Sequence, residues 1–306
     1  MASRPLKLLL VGAHPADTFD QAGGTLAHHA ARGDQVTTVA LTTGARSHHW
    51  ELIDKKRRLQ GNLDVEELIE KAVKEKMEEA RAAAAILGLH DVRELGFEDD
   101  EILLTRDMVE AIADVIRDVA PDVIITHHPY ELGGFKLHAT TAQATLYAFQ
   151  QAMGTGRGRK RTHGIPLIFF MNPMGYMGHN SLQYASTSHI TIVIDITDVV
   201  DKKVKAMDLI SSQYYGGAYS RKCHETSDGH AGGLGGVAYA ETFQAFFPTV
   251  DYTLPVSDAD LERAKLEEVP GEGMARRSEI IAAIMPLPPG MEYTSKFRFA
   301  KELYGK

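Results

Sequence analysis

Two groups of polar side chains follow apolar runs at spacings that suit a metal ion. His14 and Asp17 come directly after the apolar run at 6–12, on either side of the pair Pro15 and Ala16. An imidazole and a carboxylate at this spacing can converge on one cation in a tight turn. Three more histidines follow a second apolar run at 122–126: His127, His128 and His138. Two histidines and one carboxylate with an open fourth position are typical of catalytic zinc, which activates water or polarises an oxygen.

These two groups can meet if both apolar runs are strands of one parallel sheet. Continuous apolar runs are typical of strands that are buried on both faces. Helical patterns at 50–88 and 108–119 alternate with strand patterns at 35–42 and 92–95. This alternation predicts a Rossmann-like, doubly wound α/β fold, with a mostly parallel sheet and helices on both faces. Ligands bind beyond the carboxyl ends of such strands, where both groups lie.

The rest of the chain suggests a catalytic domain followed by an extension. We assign residues 1–250 to the catalytic domain and 251–306 to a C-terminal extension that could be an oligomer arm. Gly23 and Gly24 are expected to open the first helix. The segment 214–236 is rich in Gly, His and Tyr without clear periodicity, which predicts a functional loop or lid.

The amino-acid composition indicates which classes of molecule the protein could bind. The net charge is −8, with 41 acidic and 33 basic residues. This balance argues against nucleic acid, which needs a basic surface, but allows an anionic small substrate held by local cations. The single cysteine excludes an intramolecular disulfide, and the apolar runs are too short to cross a membrane. We see no secretory signal and expect a cytoplasmic homo-oligomer without a membrane partner.

Several motifs resemble those of the PIG-L/LmbE family of zinc-dependent deacetylases. That family begins with a strand, then Ala-His-Pro-Asp-Asp-Glu, then a Gly-Gly helix. This chain has Ala13-His14-Pro15-Ala16-Asp17 and then Gly23-Gly24, and later Thr126-His127 and Leu137-His138. The resemblance covers roughly residues 6–213. It implies a Rossmann-like fold and one zinc ion held by His14, Asp17 and His138, with His127 and His128 as reserve ligands.

The departures from the family pattern concern proton transfer. Ala16 stands where the deacetylases have the aspartate that acts as general base. Leu137 replaces the aspartate before the last ligand, and Ile210 stands where the family has a histidine. The motif around Ala16 and the segment 239–248 are both similar to the 4-oxalomesaconate hydratase branch of the family.

The resemblance therefore favours a zinc-dependent hydratase, or a related hydrolase, acting on a small carboxylated product of aromatic ring cleavage. The alternative is an N-acetyl-sugar or amide deacetylase with a relocated base. A second alternative, from another class, is a metal-binding module without catalysis.

In either enzyme, other residues must replace the missing acid and base. The segment after the second strand and one later histidine supply the candidates for proton transfer: His48, His49, Glu51 and His179. The candidates for binding a substrate carboxylate are cationic: Arg46, Arg221 and Lys222. Each of these could equally be an ordinary surface residue.

Overall fold

A computed structural model describes residues 4–59, 65–100, 103–131, 136–154, 164, 166–173, 189–264, 272–283 and 285. Its strands are β1 (Lys7–Gly12), β2 (Gln35–Thr42), β3 (Asp91–Phe97), β4 (Val123–Thr126), β5 (Leu167–Met171), β6 (Ile192–Asp195) and β7 (Ala240–Ala245). Its helices are α1 (Asp17–Ala31), α2 (Ala45–His48), α3 (Trp50–Leu59), α4 (Val65–Ile86), α5 (Arg106–Val119), α6 (Lys136–Met153), α7 (Val200–Met207), α8 (Gly217–Gly235), α9 (Asp258–Ala264) and α10 (Glu272–Ile281). A short 3₁₀ helix spans Ser211–Gln213.

The seven strands form a sheet in the order β3-β2-β1-β4-β5-β7-β6. The first five strands are parallel, and β7 runs antiparallel to both β5 and β6. The predicted doubly wound, mostly parallel fold is thereby confirmed. β1 and β4 are neighbours, and the chain leaves β1 towards one side of the sheet before returning to form β4 on the other. Their carboxyl ends flank the topological switch point, where ligands bind in such sheets.

Helices cover both faces of the sheet, which explains the continuous apolar run of β1. Leu8 and Leu10 belong to a buried cluster that also contains Leu26 of α1. Leu9 and Val11 belong to a second cluster, which contains Ile112 of α5. Alternate residues of one strand thus enter opposite cores, so neither face can be polar.

Helix α1 begins at Asp17 rather than at the glycine pair, which corrects the predicted start. Gly24 lies inside the helix, where an added Cβ would stand 2.6 Å from Ile196 Cγ2. The glycine pair therefore permits close packing and does not open the helix. The earlier start places Asp17 in the first helical turn, directly beyond the end of β1.

The prediction of a loop or lid at 214–236 was wrong, because most of this segment is helix α8. Its buried face is polar: Ser220, His224 and Asp228 recur every four residues, and Gly232 continues the row. Apolar periodicity, the usual sequence signal for a helix, is therefore missing. The row lies against a buried cation, Lys203, which salt-bridges Asp228.

Among the described residues of the C-terminal extension, one buried side chain packs on the main body. Met285 packs in a cluster with Tyr239 and Val200. The domain division at residue 250 and the homo-oligomer remain predictions. No helix within the described part of the chain has the length and apolar character needed to cross a membrane.

Candidate metal centre

The turn between β1 and α1 brings His14 and Asp17 together. The His14 backbone N–H donates to Asp17 Oδ2 over 2.7 Å, and the Asp17 N–H donates to the His14 carbonyl over 3.3 Å. Both side chains are buried. Gly12 permits this approach, since an added Cβ would stand 3.3 Å from Asp17 Cβ. The predicted convergence of an imidazole and a carboxylate is thus present in the fold.

His138, in the first turn of α6, completes a set of three donors. Asp17 Oδ2 lies 3.2 Å from His14 Nδ1 and 3.5 Å from His138 Nε2. One ligand atom from each of the three residues lies within 4.8 Å of the others, and all three residues are buried. Two imidazoles and one carboxylate suit zinc or a similar divalent ion. These residues fit the metal that the sequence predicts and would hold it.

Two further side chains orient this donor set. Glu131 Oε1 lies 3.0 Å from His138 Nδ1, an arrangement that keeps a proton on Nδ1 and the lone pair on Nε2. His127 stacks on His138 with ring centroids 3.8 Å apart, and its Nε2 accepts the Ala13 N–H over 3.0 Å. His127, Glu131 and His138 also satisfy the distance limits for a metal group. We assign Glu131 to orientation because it bonds the far nitrogen of His138.

The electrostatic field at this point favours a cation. Burial alone would raise the pKa of Asp17, but the charges of His138 and His14 hold that pKa well below its usual value. Burial alone would lower the pKa of His138, but Asp17 and Glu131 raise it to about 10. A buried position that stabilises a positive imidazole also suits a divalent ion.

Of the predicted proton-transfer residues, the structure brings His48 to the centre. Its ring centroid lies 4.1 Å from that of His14. Burial lowers the pKa of His48 well below its usual value, and the charge of His14 adds to this effect. His49 instead lies 3.3 Å from Glu75, and Glu51 pairs with Lys55 at 2.7 Å. His179 lies outside the described residues.

The predicted carboxylate-binding residues are spread over two regions. Arg46 Nε donates to Glu98 over 2.6 Å, and its Nη2 lies 3.6 Å from Glu66. Arg221 is buried in α8 and its charge acts on Asp208, whereas Lys222 is exposed. The structure does not bring these three cations together, and their roles remain predictions.

Two buried ionisable residues near the candidate metal centre were not predicted from the sequence. Lys76 in α4 is 1% exposed and donates to Gln213 Oε1 over 2.8 Å, and burial lowers its pKa to about 8. Its charge also lowers the pKa of His48. Asp20 lies one turn after Asp17 and bonds Tyr215 at 3.1 Å, and burial raises its pKa well above the usual value. Their positions in ordinary helical patterns gave no sequence signal.

Removing any of the three donors should remove the metal. We expect His14→Ala, Asp17→Ala and His138→Ala each to lose the one equivalent of zinc that the unaltered protein should carry, because two donors hold zinc poorly. Glu131→Gln should weaken metal binding about 10- to 100-fold through its effect on His138. Metal content per chain, measured by elemental analysis, gives the result.

The matched control is His128→Ala. This neighbouring histidine packs against Phe170 with ring centroids 5.3 Å apart and does not join either metal group. Its variant should keep the metal. Full occupancy in any of the three donor variants would exclude that residue as a ligand.

Comparison with known proteins places this site in a family. The family profile PIG-L, GlcNAc-PI de-N-acetylase, matches residues 9–149. The chain is 30% identical over 256 residues to 4-oxalmesaconate hydratase of Pseudomonas putida, covering 80% of this chain and 91% of that protein. The chain belongs to the PIG-L family. The crystal structure of GalB, the 4-carboxy-2-hydroxymuconate hydratase of P. putida KT2440, matches with a TM-score of 0.64 and 28% identity, covering 81% and 100% of the two chains.

Other PIG-L relatives are deacetylases. The chain is 32% identical over 162 residues to 1D-myo-inositol 2-acetamido-2-deoxy-alpha-D-glucopyranoside deacetylase of Acidothermus cellulolyticus, covering 47% of this chain and 53% of that protein. N,N'-diacetylchitobiose deacetylase of Pyrococcus horikoshii has the same fold, with a TM-score of 0.60 and 19% identity over 83% of this chain and 89% of that one. Membership of the PIG-L family therefore allows two kinds of reaction.

Proposed function

We propose that this protein is a cytoplasmic, zinc-dependent hydro-lyase that adds water to a small carboxylated product of aromatic ring cleavage. One observation carries the proposal. Ala16, between the ligands His14 and Asp17, cannot take a proton, and its side chain is completely buried at the start of α1. A deacetylase would have its general base at this position, by the family pattern. The similarity to P. putida KT2440 hydratase, seen over four-fifths of the chain both in sequence and in structure, supports the same choice.

Hydration of a carbon–carbon double bond needs a group that takes a proton from water. A divalent metal at His14, Asp17 and His138 would supply Lewis-acid polarisation of a substrate oxygen. The ring of His48 lies against that of His14, and His48 is not one of the predicted metal ligands. Since His48 Nδ1 lies 2.5 Å from Ser47 Oγ, we assign the removal of the water proton to His48 Nε2. The water oxygen then bonds one carbon of the double bond, the π bond breaks, and its electron pair takes up a proton at the other carbon.

The proposed substrate carries carboxylates, so the site needs cations other than the metal. Lys76 is buried in contact range of Gly44, beside His14, and its charge acts on His48. Arg46 lies at the start of α2, the helix that carries His48. We propose that these two residues attract the substrate carboxylates.

Arg46→Lys should raise the KM for a carboxylated substrate while zinc content and folding stay unchanged. Lysine cannot offer the two parallel N–H donors that arginine presents to a carboxylate. Steady-state kinetics give the result, with Arg106→Lys as the control, because Arg106 is exposed and pairs only locally with Glu110. Equal KM values in both variants would show that Arg46 pairs with Glu98 and Glu66 and does not bind the substrate. The search would then move to Arg221 and Lys222.

The two reaction types are distinguished by two probes. The first is 4-carboxy-2-hydroxymuconate, here called the muconate probe, whose hydration removes a conjugated double bond and lowers its near-ultraviolet absorbance. The second is N,N'-diacetylchitobiose, whose deacetylation releases acetate. We expect turnover of the muconate probe and no acetate release. Acetate release without hydration would favour the deacetylase, whose metal ligands are the same, and inertness to both would favour a non-catalytic metal-binding module.

Position 16 offers a further discrimination between the two enzymes. Ala16→Asp restores the carboxylate that the family's deacetylases use. In a hydratase this change should not improve hydration, because His48 already removes the proton. Faster hydration by the Ala16→Asp variant would contradict the assigned role of His48.

A further inference from the structure

Asp99, Ser47 and His48 form a line of hydrogen-bonded groups. Asp99, which follows β3, is buried, and its Oδ2 accepts a hydrogen bond from Ser47 Oγ. Ser47 Oγ lies 2.5 Å from His48 Nδ1. Asp99 also accepts the backbone N–H groups of Arg46, over 3.0 Å, and of Ser47, over 2.6 Å. The carboxylate therefore holds both the hydroxyl and the backbone of the turn that carries His48.

The proton count along this line leaves one arrangement. An ionised carboxylate only accepts hydrogen bonds, and a hydroxyl has a single proton to donate. Ser47 gives that proton to Asp99, so its oxygen must act as the acceptor towards His48. His48 Nδ1 is then the donor and carries the proton, and Nε2 carries the lone pair. The second nitrogen of a neutral imidazole is a base only in this tautomer.

The fold brings these residues together from distant parts of the sequence. Gly44 adopts a left-handed conformation with φ of 63° at the start of α2, and an added Cβ would stand 2.9 Å from Lys76 Cε and 3.4 Å from His14 Cβ. The positive φ and the close approach to the Lys76 side chain both favour glycine at this position. Asp99 approaches the same turn from the end of β3, which pairs with β2.

We propose that Asp99 and Ser47 are positioning residues that fix His48 in the tautomer with its proton on Nδ1. The inference rests on the proposed role of His48 as the base, although the tautomer itself can be tested without any substrate. A purely structural role, in which Asp99 only caps α2, would not set the tautomer.

The tautomer is measurable by nuclear magnetic resonance. Two-bond ¹H–¹⁵N correlation spectra of protein labelled in its histidines distinguish a protonated Nδ1 from a protonated Nε2, and His48→Gln identifies the His48 signals by their loss. In the unaltered, zinc-loaded protein we expect the proton on Nδ1. In Asp99→Asn one amide oxygen replaces two carboxylate oxygens that accept three hydrogen bonds, so the Ser47 hydroxyl is held less firmly as a donor to residue 99 and the preference for Nδ1 should weaken. Ser47→Ala should remove the preference.

Glu98→Gln is the matched control, because Glu98 neighbours Asp99 but pairs with Arg46 and not with Ser47. It should leave the His48 spectrum unchanged. A proton on Nε2 in the unaltered protein, or an unchanged tautomer in both Asp99→Asn and Ser47→Ala, would overturn the proposal. If Asp99→Asn does not fold, the His48 spectra of the unaltered protein and of Ser47→Ala still test the proposal.

Kinetic measurements, together with the spectra, distinguish failure of the positioning proposal from failure of the proposed function. If hydration of the muconate probe is the reaction, Asp99→Asn and Ser47→Ala should lower kcat about 10- to 100-fold with little change in KM, as is typical when an orienting partner is lost. Failure of the hydratase proposal would appear as no hydration by the unaltered protein. Failure of the positioning inference would appear in the spectra, whatever the activity.

Discussion

His48→Gln is expected to lower kcat for hydration by about 100- to 10,000-fold while the protein keeps its metal. The range is that of a lost general base. His48 contacts His14 through the ring, with centroids 4.1 Å apart, but belongs to neither group of residues that could hold a metal. The loss should therefore fall on the rate and not on zinc content. Steady-state kinetics and elemental analysis of the same preparation measure both.

His49→Gln is the control for this experiment. His49 is adjacent in sequence and is also buried, but its Nε2 lies 3.3 Å from Glu75 and its Nδ1 accepts the Leu52 N–H over 3.3 Å. It should retain most of the activity. Equal losses in the two variants would point to damage of the shared turn, and undiminished kcat in His48→Gln would exclude His48 as the base.

Lys203→Met should destabilise the protein by about 3–5 kcal/mol, the typical cost of leaving buried charges without their partner. Lys203 is completely buried, with its Nζ 2.8 Å from Asp228 Oδ2 and 2.8 Å from Glu241 Oε1. Burial alone would lower the pKa of Lys203, but the charges of Asp228 and Glu241 raise it. Glu241 also accepts the N–H groups of Gly24 and Thr25, so this residue of β7 is bonded to α1 as well as to Lys203 of α7.

The free energy of unfolding, obtained from urea denaturation, tests this expectation. Lys202→Met is the matched control, because Lys202 is the exposed neighbour in the same helix. Its effect should stay within about 0.5 kcal/mol. A loss below about 1 kcal/mol in Lys203→Met would mean that the two carboxylates find other partners or become protonated without cost.

The parts of the site that could be predicted from the sequence are those encoded locally. His14 and Asp17 are three residues apart in one turn, so their spacing carries the geometry. His138 lies far along the chain, and only the expected placement of both strand ends at one edge of a parallel sheet, together with the family resemblance, joined it to them. The structure shows in addition that β1 and β4 are paired neighbours.

The parts that could not be predicted depend on burial of polar groups. Helix α8 has a polar buried face because it lies against Lys203, so it lacks apolar periodicity. Lys76 occupies a charged helix, where a lysine usually faces solvent, yet it is buried beside the metal centre. Asp99 acts on a turn about fifty residues earlier in the chain. Such contacts are set by tertiary packing, which sequence patterns do not encode.

The proposed function requires that a metal held by His14, Asp17 and His138 takes part in the hydration of a carboxylated ring-cleavage product. The direct test follows the near-ultraviolet absorbance of the muconate probe with three preparations: the protein as purified, the protein after removal of metal by a chelator, and the latter after addition of one equivalent of zinc. We predict hydration by the first, none by the second and recovery in the third, with the hydrated product confirmed by its added mass of one water. Undiminished hydration after complete metal removal, or no hydration by the fully zinc-loaded protein, would contradict the proposed function.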